Sequence, residues 1–178
     1  MIFRVWEPPQ PGHTYIVGAD TSDGIIDGDY SAAEVYDRTV STQVAELYGK
    51  IDQTSFAEEL AKLGLYYNKA LIAVEDNNRG LMTLLALKAL YTNLFLRRIE
   101  GTLDRRFSKK LGFHTSSKTR PLLFSTLETA IYRGTVKIHS PELLQEALTC
   151  IRDKTGKPTT PPGKHDDRLL ALDRKSVV

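Results

Sequence analysis

The sequence predicts an α/β domain: a mixed central sheet, made of an antiparallel three-strand meander plus parallel strands, flanked by helices. Three observations lead there. Two short runs rich in strand formers, residues 15–20 and 70–75, each end in a carboxylate, Asp20 and Glu75. Between them, residues 31–38 and 39–51 alternate through Ala33, Val35, Val44, Leu47 and Tyr48, which suits two strands pairing antiparallel with the first. The remaining apolar residues recur mostly at helical spacing, in segments separated by proline and glycine. With 178 residues, 41% hydrophobic and 26% charged, the chain fits one domain, residues 1–178, with room for a core, and not a disordered, collagen-like or repeat architecture.

Residues 1–12 read as a linker-like lead: Met1 to Trp6 is apolar with no cap, and Pro8, Pro9, Pro11 and Gly12 stiffen the approach to the first strand. The strand at 15–20 runs into an acidic turn, 21–28, holding Gly24, Gly28, Asp23 and Asp27. After the meander, Gln53-Thr54-Ser55 can cap a helix in which Phe56, Leu60, Leu63 and Tyr67 recur on one face through Asn68. The strand at 70–75 is apolar until its last residue, as a strand buried on both faces should be. Asn78 or Gly80 then opens a helix over 81–90, and 93–97 reads as a fifth short strand. Residues 98–119 are polar, basic and aperiodic, which predicts a hairpin or a long functional loop. Next come a helix over 117–132, an extended piece at 135–138 and a helix from Ser140-Pro141-Glu142 to Cys150, the last with a Ser cap and proline in its first turn. A loop at 153–164 leads to a final helix whose first turn carries Asp166 and Asp167, as the helix dipole favours.

Cys150 is the single cysteine, so no internal disulfide is available, and its apolar helical surroundings suggest an inert buried thiol. No apolar run reaches the ~18 residues of a membrane span. Glu7, Pro8 and Pro9 leave no signal-peptide core, so the sequence predicts an intracellular protein without membrane contact.

The chemically suggestive feature is where the acids fall. If the strands at 15–20 and 70–75 are parallel neighbours, Asp20 and Glu75 leave the same sheet edge. Asp166 and Asp167 open the last helix. Each acid taken singly is better explained as a solvated loop or cap residue. Brought together, three anions raise one another's pKa and call for a cation. Mg²⁺ or Mn²⁺ takes oxygen ligands, and a pair of ions about 3.5–4 Å apart can activate a water and stabilise the leaving oxygen of a phosphodiester.

Four blocks resemble the C-terminal nuclease domain of the large terminase subunit of tailed bacteriophages, which has a ribonuclease H-like fold. They are Gly18-Ala19-Asp20-Thr21 with Gly28-Asp29-Tyr30-Ser31-Ala32, then Val74-Glu75-Asp76-Asn77-Asn78-Arg79-Gly80, then Leu111-Gly112-Phe113-His114-Thr115 with Thr119-Arg120-Pro121-Leu122-Leu123, and finally Gly163-Lys164-His165-Asp166-Asp167-Arg168-Leu169-Leu170-Ala171-Leu172. The blocks stand in the family's order and span nearly the whole chain. The resemblance implies that Asp20, Glu75 and one acid of the final pair are the catalytic metal ligands, holding two Mg²⁺ or Mn²⁺ ions. It favours Asp167 over Asp166, a choice that spacing alone does not make. Asp29 and Asp76 would support the site from behind the ligands, although each also reads as an ordinary turn or helix-start residue. Asp23 and Asp27 read as solvated loop acids. His165 could face a metal or phosphate, whereas His13, His114 and His139 lack zinc-like spacing.

The implied activity is metal-dependent endonucleolytic cutting of double-stranded viral DNA concatemers during genome packaging, in the host cytoplasm. Implied partners are DNA, an ATPase motor domain, the small terminase subunit and the portal. No Gly-x-x-x-x-Gly-Lys-Ser/Thr loop occurs in the chain, so it resembles the nuclease half alone, without the motor. The overall charge of +2 hides an uneven distribution. Residues 97–120 hold eight bases and two acids, +6, against −4 for the remainder. Arg105, Arg106, Lys109, Lys110, Lys118 and Arg120, with Lys164 from the 154–164 loop, are therefore candidates to flank the duplex through its phosphates. A solvated charged hairpin would show the same composition. A ribonuclease H or junction-resolving nuclease of the same fold, and a catalytically silent docking domain, are the competing readings.

Overall fold

The computed structural model describes residues 1–25, 29–100, 107–115, 119–152, 158–161 and 166–173. Its core is a five-stranded mixed sheet in the order β1-β4-β3-β2-β5. Strands β2 (Tyr15–Asp20), β3 (Ser31–Asp37) and β4 (Thr42–Gly49) form the expected antiparallel meander. Strand β5 (Leu71–Val74) lies parallel to β2, with Gly18 opposite Ala73 and Ala19 opposite Val74.

The N-terminal segment departs from expectation. Residues 2–5 of the predicted 1–12 linker are instead the edge strand β1 (Ile2–Val5), antiparallel to β4. Their alternation is hard to read as a strand because Phe3 and Val5 stay exposed while the residue between them, Arg4, is a cation reaching buried and half-buried carboxylates. Helix α1 (Gln53–Tyr66) is capped by Asp52, one residue before the predicted cap, whose carboxylate accepts from the N–H groups of Thr54 and Ser55. Helix α2 (Asn78–Leu90) is capped by Asn77 rather than Asn78 or Gly80 and starts three residues before the predicted 81.

The predicted strand at 93–97 divides in two. Leu94 bridges Ile72 beside β5, and the strand proper, β6 (Leu96–Glu100), pairs with β7 (Phe107–Leu111) as a separate hairpin. The hairpin expected in 98–119 is therefore present. Helices α3 (Thr119–Tyr132) and α4 (Pro141–Thr149), the short strands β8 (Ile151–Arg152) and β9 (Pro158–Thr159), and α5 (Asp167–Asp173) complete the order. Among the described residues no helix is long and apolar enough to cross a membrane.

Alternation gives the sheet two different faces. Tyr15, Val17, Ala19, Ala33 and Val35 pack with Phe56, Leu60, Leu84 and Leu87 of α1 and α2 in the main core. On the opposite face Ala171 of α5 meets Ala32 and Tyr48, and Leu169 and Leu172 join Phe124, Leu127 and Leu143 from α3 and α4. This second face is polar where α5 crosses it. Glu34 and Glu46, opposite one another on β3 and β4, are both buried. Like charges so placed repel, and each needs its own partner.

Gln43 donates to Glu34 at 2.6 Å, and burial, then the nearby Glu46, push Glu34 well above the usual carboxylate range. Glu46 is held by Arg4 at 2.8 Å, Ser140 Oγ at 2.8 Å and Arg168 Nε at 3.3 Å. Arg168 also donates to Glu146 at 2.9 Å and lies 3.5 Å over the Tyr48 ring. The second oxygen of Glu146 accepts the backbone N–H groups of Arg168 and Leu169 at 3.0 and 3.2 Å, so a carboxylate from α4 caps α5.

Arg4 closes this network from the edge strand, reaching Glu142 with two hydrogen bonds of 2.7 and 2.8 Å. Those bonds draw the Glu142 carboxyl down to about 2. A carboxyl lowered by folding stabilises above its ordinary value and loses that contribution as pH falls toward the lowered one. Arg4→Ala should therefore cost on the order of 1–2 kcal/mol at pH 7, mostly through the buried Glu46, since the half-exposed Glu142 is screened. The smaller part of that difference, carried by Glu142, should be lost in chemical denaturation as pH falls from 4.5 to about 2.

Candidate active site

The register of β2 and β5 ends at Ala19 opposite Val74, so Asp20 and Glu75 are the next residue on each of two adjacent parallel strands. The N–H of Glu75 donates to Ala19 O at 3.3 Å, and the neighbouring N–H and C=O groups on its other side pair with Phe113. Glu75 is thereby held between two backbone neighbours. Asp20 comes after Ala19 of the main core and so leaves β2 toward the opposite face, where α5 packs on β2 and β3. Asp167 is the first residue of that helix.

The result is a cleft of about 330 Å³ lined by Asp20, Glu75, Asp166 and Asp167, with Asp29, Asn77, Arg79 and Arg120 at its walls. The expected acids thus converge on one cavity. The final pair divides sharply. Asp166 accepts from Arg120 at 2.6 Å and from Thr160 Oγ1 at 2.8 Å, so its charge has a partner. Asp167 is buried, and burial, followed by the charge of Asp20, pushes its carboxyl up to about 8. A carboxylate disfavoured by burial and by a second carboxylate is what a bound cation would relieve. Among the described residues no three His, Cys, Asp or Glu side chains stand close enough together to enclose an ion. The donor set, all carboxylate oxygen, fits a hard divalent cation such as Mg²⁺ or Mn²⁺ and does not suit a thiolate-seeking metal.

Asn77 links the ligand strand to α2. Its Nδ2 donates to Glu75 at 3.1 Å while its Oδ1 caps the helix by accepting from Gly80 N–H at 2.7 Å. Gly80 is required there, because a Cβ on it would lie 1.7 Å from Glu75 O, a backbone atom. Asp76 turns away from the cleft. Its buried carboxylate takes Arg97 at 2.6 Å, His114 at 2.9 Å and Lys110 at 3.4 Å. Burial alone would raise Asp76, but the hydrogen bond from His114 and the charge of Arg97 outweigh it and hold the carboxyl below its ordinary value. Asp76 therefore docks the basic β6–β7 hairpin onto the strand end that carries Glu75.

Of the predicted basic residues, Arg120 lines the cleft and Lys110 sits at the Asp76 cluster. Arg105, Arg106, Lys118 and Lys164, together with Asp27, His165 and the side chain of Lys109, lie outside the described residues. His13 pairs with Asp37 and His139 with Glu7, neither at the cleft. Asp29 lines the cleft, whereas Asp23 is tied to Arg79. Sequence reasoning misses Arg79 and Asn77. The signal for Arg79 is a cation in the first turn of α2, against the helix dipole.

No protein-family profile and no curated protein matches the chain. Solved structures do. The large terminase nuclease of thermophilic phage G20c with bound magnesium is 20% identical, with TM-score 0.73 over 97% of this chain and 85% of that one. The large terminase nuclease domain of Thermus phage P74-26 is 21% identical, with TM-score 0.70 over 96% and 82%. The P22 large terminase nuclease domain is 13% identical, with TM-score 0.60 over 97% and 86%. The mixed sheet flanked by helices is thus the ribonuclease H-like fold of these nuclease domains, as expected.

This geometry sets two expected outcomes. Gly80→Ala should displace the Glu75 backbone and, where Glu75 ligates a divalent cation, weaken its binding at least roughly ten-fold by calorimetry, as disturbed positioning groups do. Asp167→Asn should raise the thermal stability of the metal-free protein by ~1–3 kcal/mol, because the cost of burying an ionisable acid beside another is removed. Where the cleft holds a divalent cation, added Mg²⁺ should stabilise wild type more than the Asn variant.

Proposed function

We propose that this chain is a metal-dependent endonuclease acting on double-stranded DNA, working in viral genome packaging on concatemeric DNA. The observation that carries this reading is the convergence of Asp20, Glu75 and Asp167 in one cleft, from a strand end, its parallel neighbour and a helix start. The likeness of fold to phage terminase nucleases supports it.

In this reading Asp20, Glu75 and Asp167 hold two Mg²⁺ or Mn²⁺ ions. Such ions supply an activated water and stabilise the leaving 3′-oxygen of a phosphodiester. The remaining work belongs to the protein. The β2 and β5 backbones fix Asp20 and Glu75 relative to one another, and Asn77 orients Glu75 through its 3.1 Å hydrogen bond. Asp166, paired with Arg120, supports the wall of the cleft without serving as a ligand. The hairpin docked by Asp76 and the 154–164 loop flank the duplex, and their contacts to phosphate are independent of sequence. The working context is the host cytoplasm, with an ATPase motor domain, a small terminase subunit and a portal as partners.

The test is cleavage of supercoiled plasmid in Mg²⁺ or Mn²⁺, beside an RNA–DNA hybrid and a four-way junction. Plasmid should be nicked and linearised, and Asp20→Asn, Glu75→Gln and Asp167→Asn should each lower the rate roughly 100-fold or more, as loss of metal ligands does. Asp166→Asn should cost less than about ten-fold. Preference for the hybrid or junction would reassign the substrate, and ligand variants as active as wild type would overturn the enzymatic reading.

A further inference from the structure

Arg79 occupies an electrostatically unfavourable place. It lies in the first turn of α2, where the helix dipole disfavours a cation, and that turn holds no acid to offset it. It is half-exposed and lines the acidic cleft. Its partners come from the loop after β2: Nε meets Asp23 Oδ2 at 2.8 Å and Nη1 meets Asp29 Oδ2 at 3.2 Å. Asp23 lies outside the cleft lining, so Arg79 is tethered at the lip. Arg120 stands in the same lining, held by Asp166.

The formal charges of the lining bear on its ligand. Fully ionised, as bound cations would leave them, the carboxyl groups of Asp20, Asp29, Glu75, Asp166 and Asp167 face two guanidiniums, Arg79 and Arg120, a net of −3. One divalent ion leaves the cleft anionic and repellent to a phosphodiester, and two make it +1, matched to a single phosphate. Without Arg79 the cleft would be neutral even with two ions. Arg79 therefore adds one positive charge to the lining, offset by its ion pair with Asp23 at 2.8 Å until that pair opens.

We infer that Arg79 is a substrate-binding residue, a guanidinium stored at the lip of the cleft by Asp23 and Asp29 and used to grip a backbone phosphate of the DNA beside the metal-ligand acids. The inference rests on the nuclease reading and deepens it. Its planar fork of five N–H donors suits phosphate, and among the described residues two carboxylates are its ion-pair partners. Duplex binding at the cleft is then coupled to metal binding, because both ions are needed to reverse the sign of the lining.

Two variants that cut the same tether from opposite ends test this. A labelled short DNA duplex is titrated with the full chain in Ca²⁺ at several salt concentrations, and Ca²⁺ alone is followed by calorimetry. Arg79→Ala should weaken duplex binding roughly five- to twenty-fold and make the log–log salt slope shallower by about one. It should also bind Ca²⁺ more tightly, since a cation has left the cleft. Asp23→Asn should leave duplex binding as strong as wild type or stronger, because the guanidinium is freed. Arg79→Lys, which keeps the point charge, should retain the salt slope while losing part of the affinity.

If Arg79 were only a strap, Arg79→Ala and Asp23→Asn would lower duplex affinity and melting temperature alike; that result overturns the inference. So does wild-type duplex affinity in Arg79→Ala. Wild type that binds duplex and cleaves plasmid while Arg79→Ala does both equally well removes this inference and leaves the nuclease reading standing. Wild type that binds neither duplex nor Ca²⁺ removes both.

Discussion

The contact on which fold and site both depend is the burial of Arg168 between Glu46 and Glu146. Its guanidinium is fixed by two carboxylates and the Tyr48 ring, and its own backbone N–H is bound by Glu146. Arg168 is therefore held at both ends, and Asp167, the preceding residue, inherits its place from it. A helix of seven residues has little intrinsic stability and cannot orient its first side chain by itself. Here the orientation is imported: α4 supplies the cap, β4 supplies the counter-charge, and the small residues Ala32 and Ala171 lie between helix and sheet beside Tyr48. Breaking one partner of such a pair leaves an uncompensated buried charge, which costs far more than the pair contributes by forming. The arrangement is thus better understood as fixing geometry than as adding stability.

What is legible in the sequence divides along the range of the interactions involved. Asp20 and Glu75 are readable because a strand buried on both faces is apolar to its end and the first carboxylate marks the edge of the sheet. The convergence of the last helix on that edge is a long-range fact that periodicity cannot supply, and only resemblance to a family points to it. Strand β1 is hidden because its exposed residues are apolar and its sheet-facing residue is a cation whose partners lie 42 and 138 residues away. Arg79 and Asn77 stand beside Glu75 in the chain, yet a helix-start residue reveals its target only when the loop facing it is placed.

Asp76 shows how one strand end serves two tasks. Glu75 and Asp76 are consecutive, and alternation sends them to different surroundings: Glu75 into the acidic cleft, Asp76 into a buried nest of Arg97, Lys110 and His114. The acid that a metal-centred reading would assign to the site instead neutralises the root of the basic hairpin. That neutralisation has a geometric consequence. A hairpin rich in lysine and arginine would be pushed outward by its own repulsion, and pinning it through a carboxylate adjacent to Glu75 sets its distance from the cleft.

The near-neutral total charge of the chain then has a physical reason. Acid is concentrated in the cleft of Asp20, Glu75 and Asp167, base in residues 97–120, and the buried Glu46 and Glu146 beneath α5 are matched within the fold by Arg4 and Arg168. Several of these charges are paired locally: Asp76 with Arg97 of the hairpin, Arg120 with Asp166, and Asp23 and Asp29 with Arg79. Burial, followed by the charge of Asp20, raises the carboxyl of Asp167. Its unfavourable charge is the feature of the cleft that a divalent cation would most directly correct.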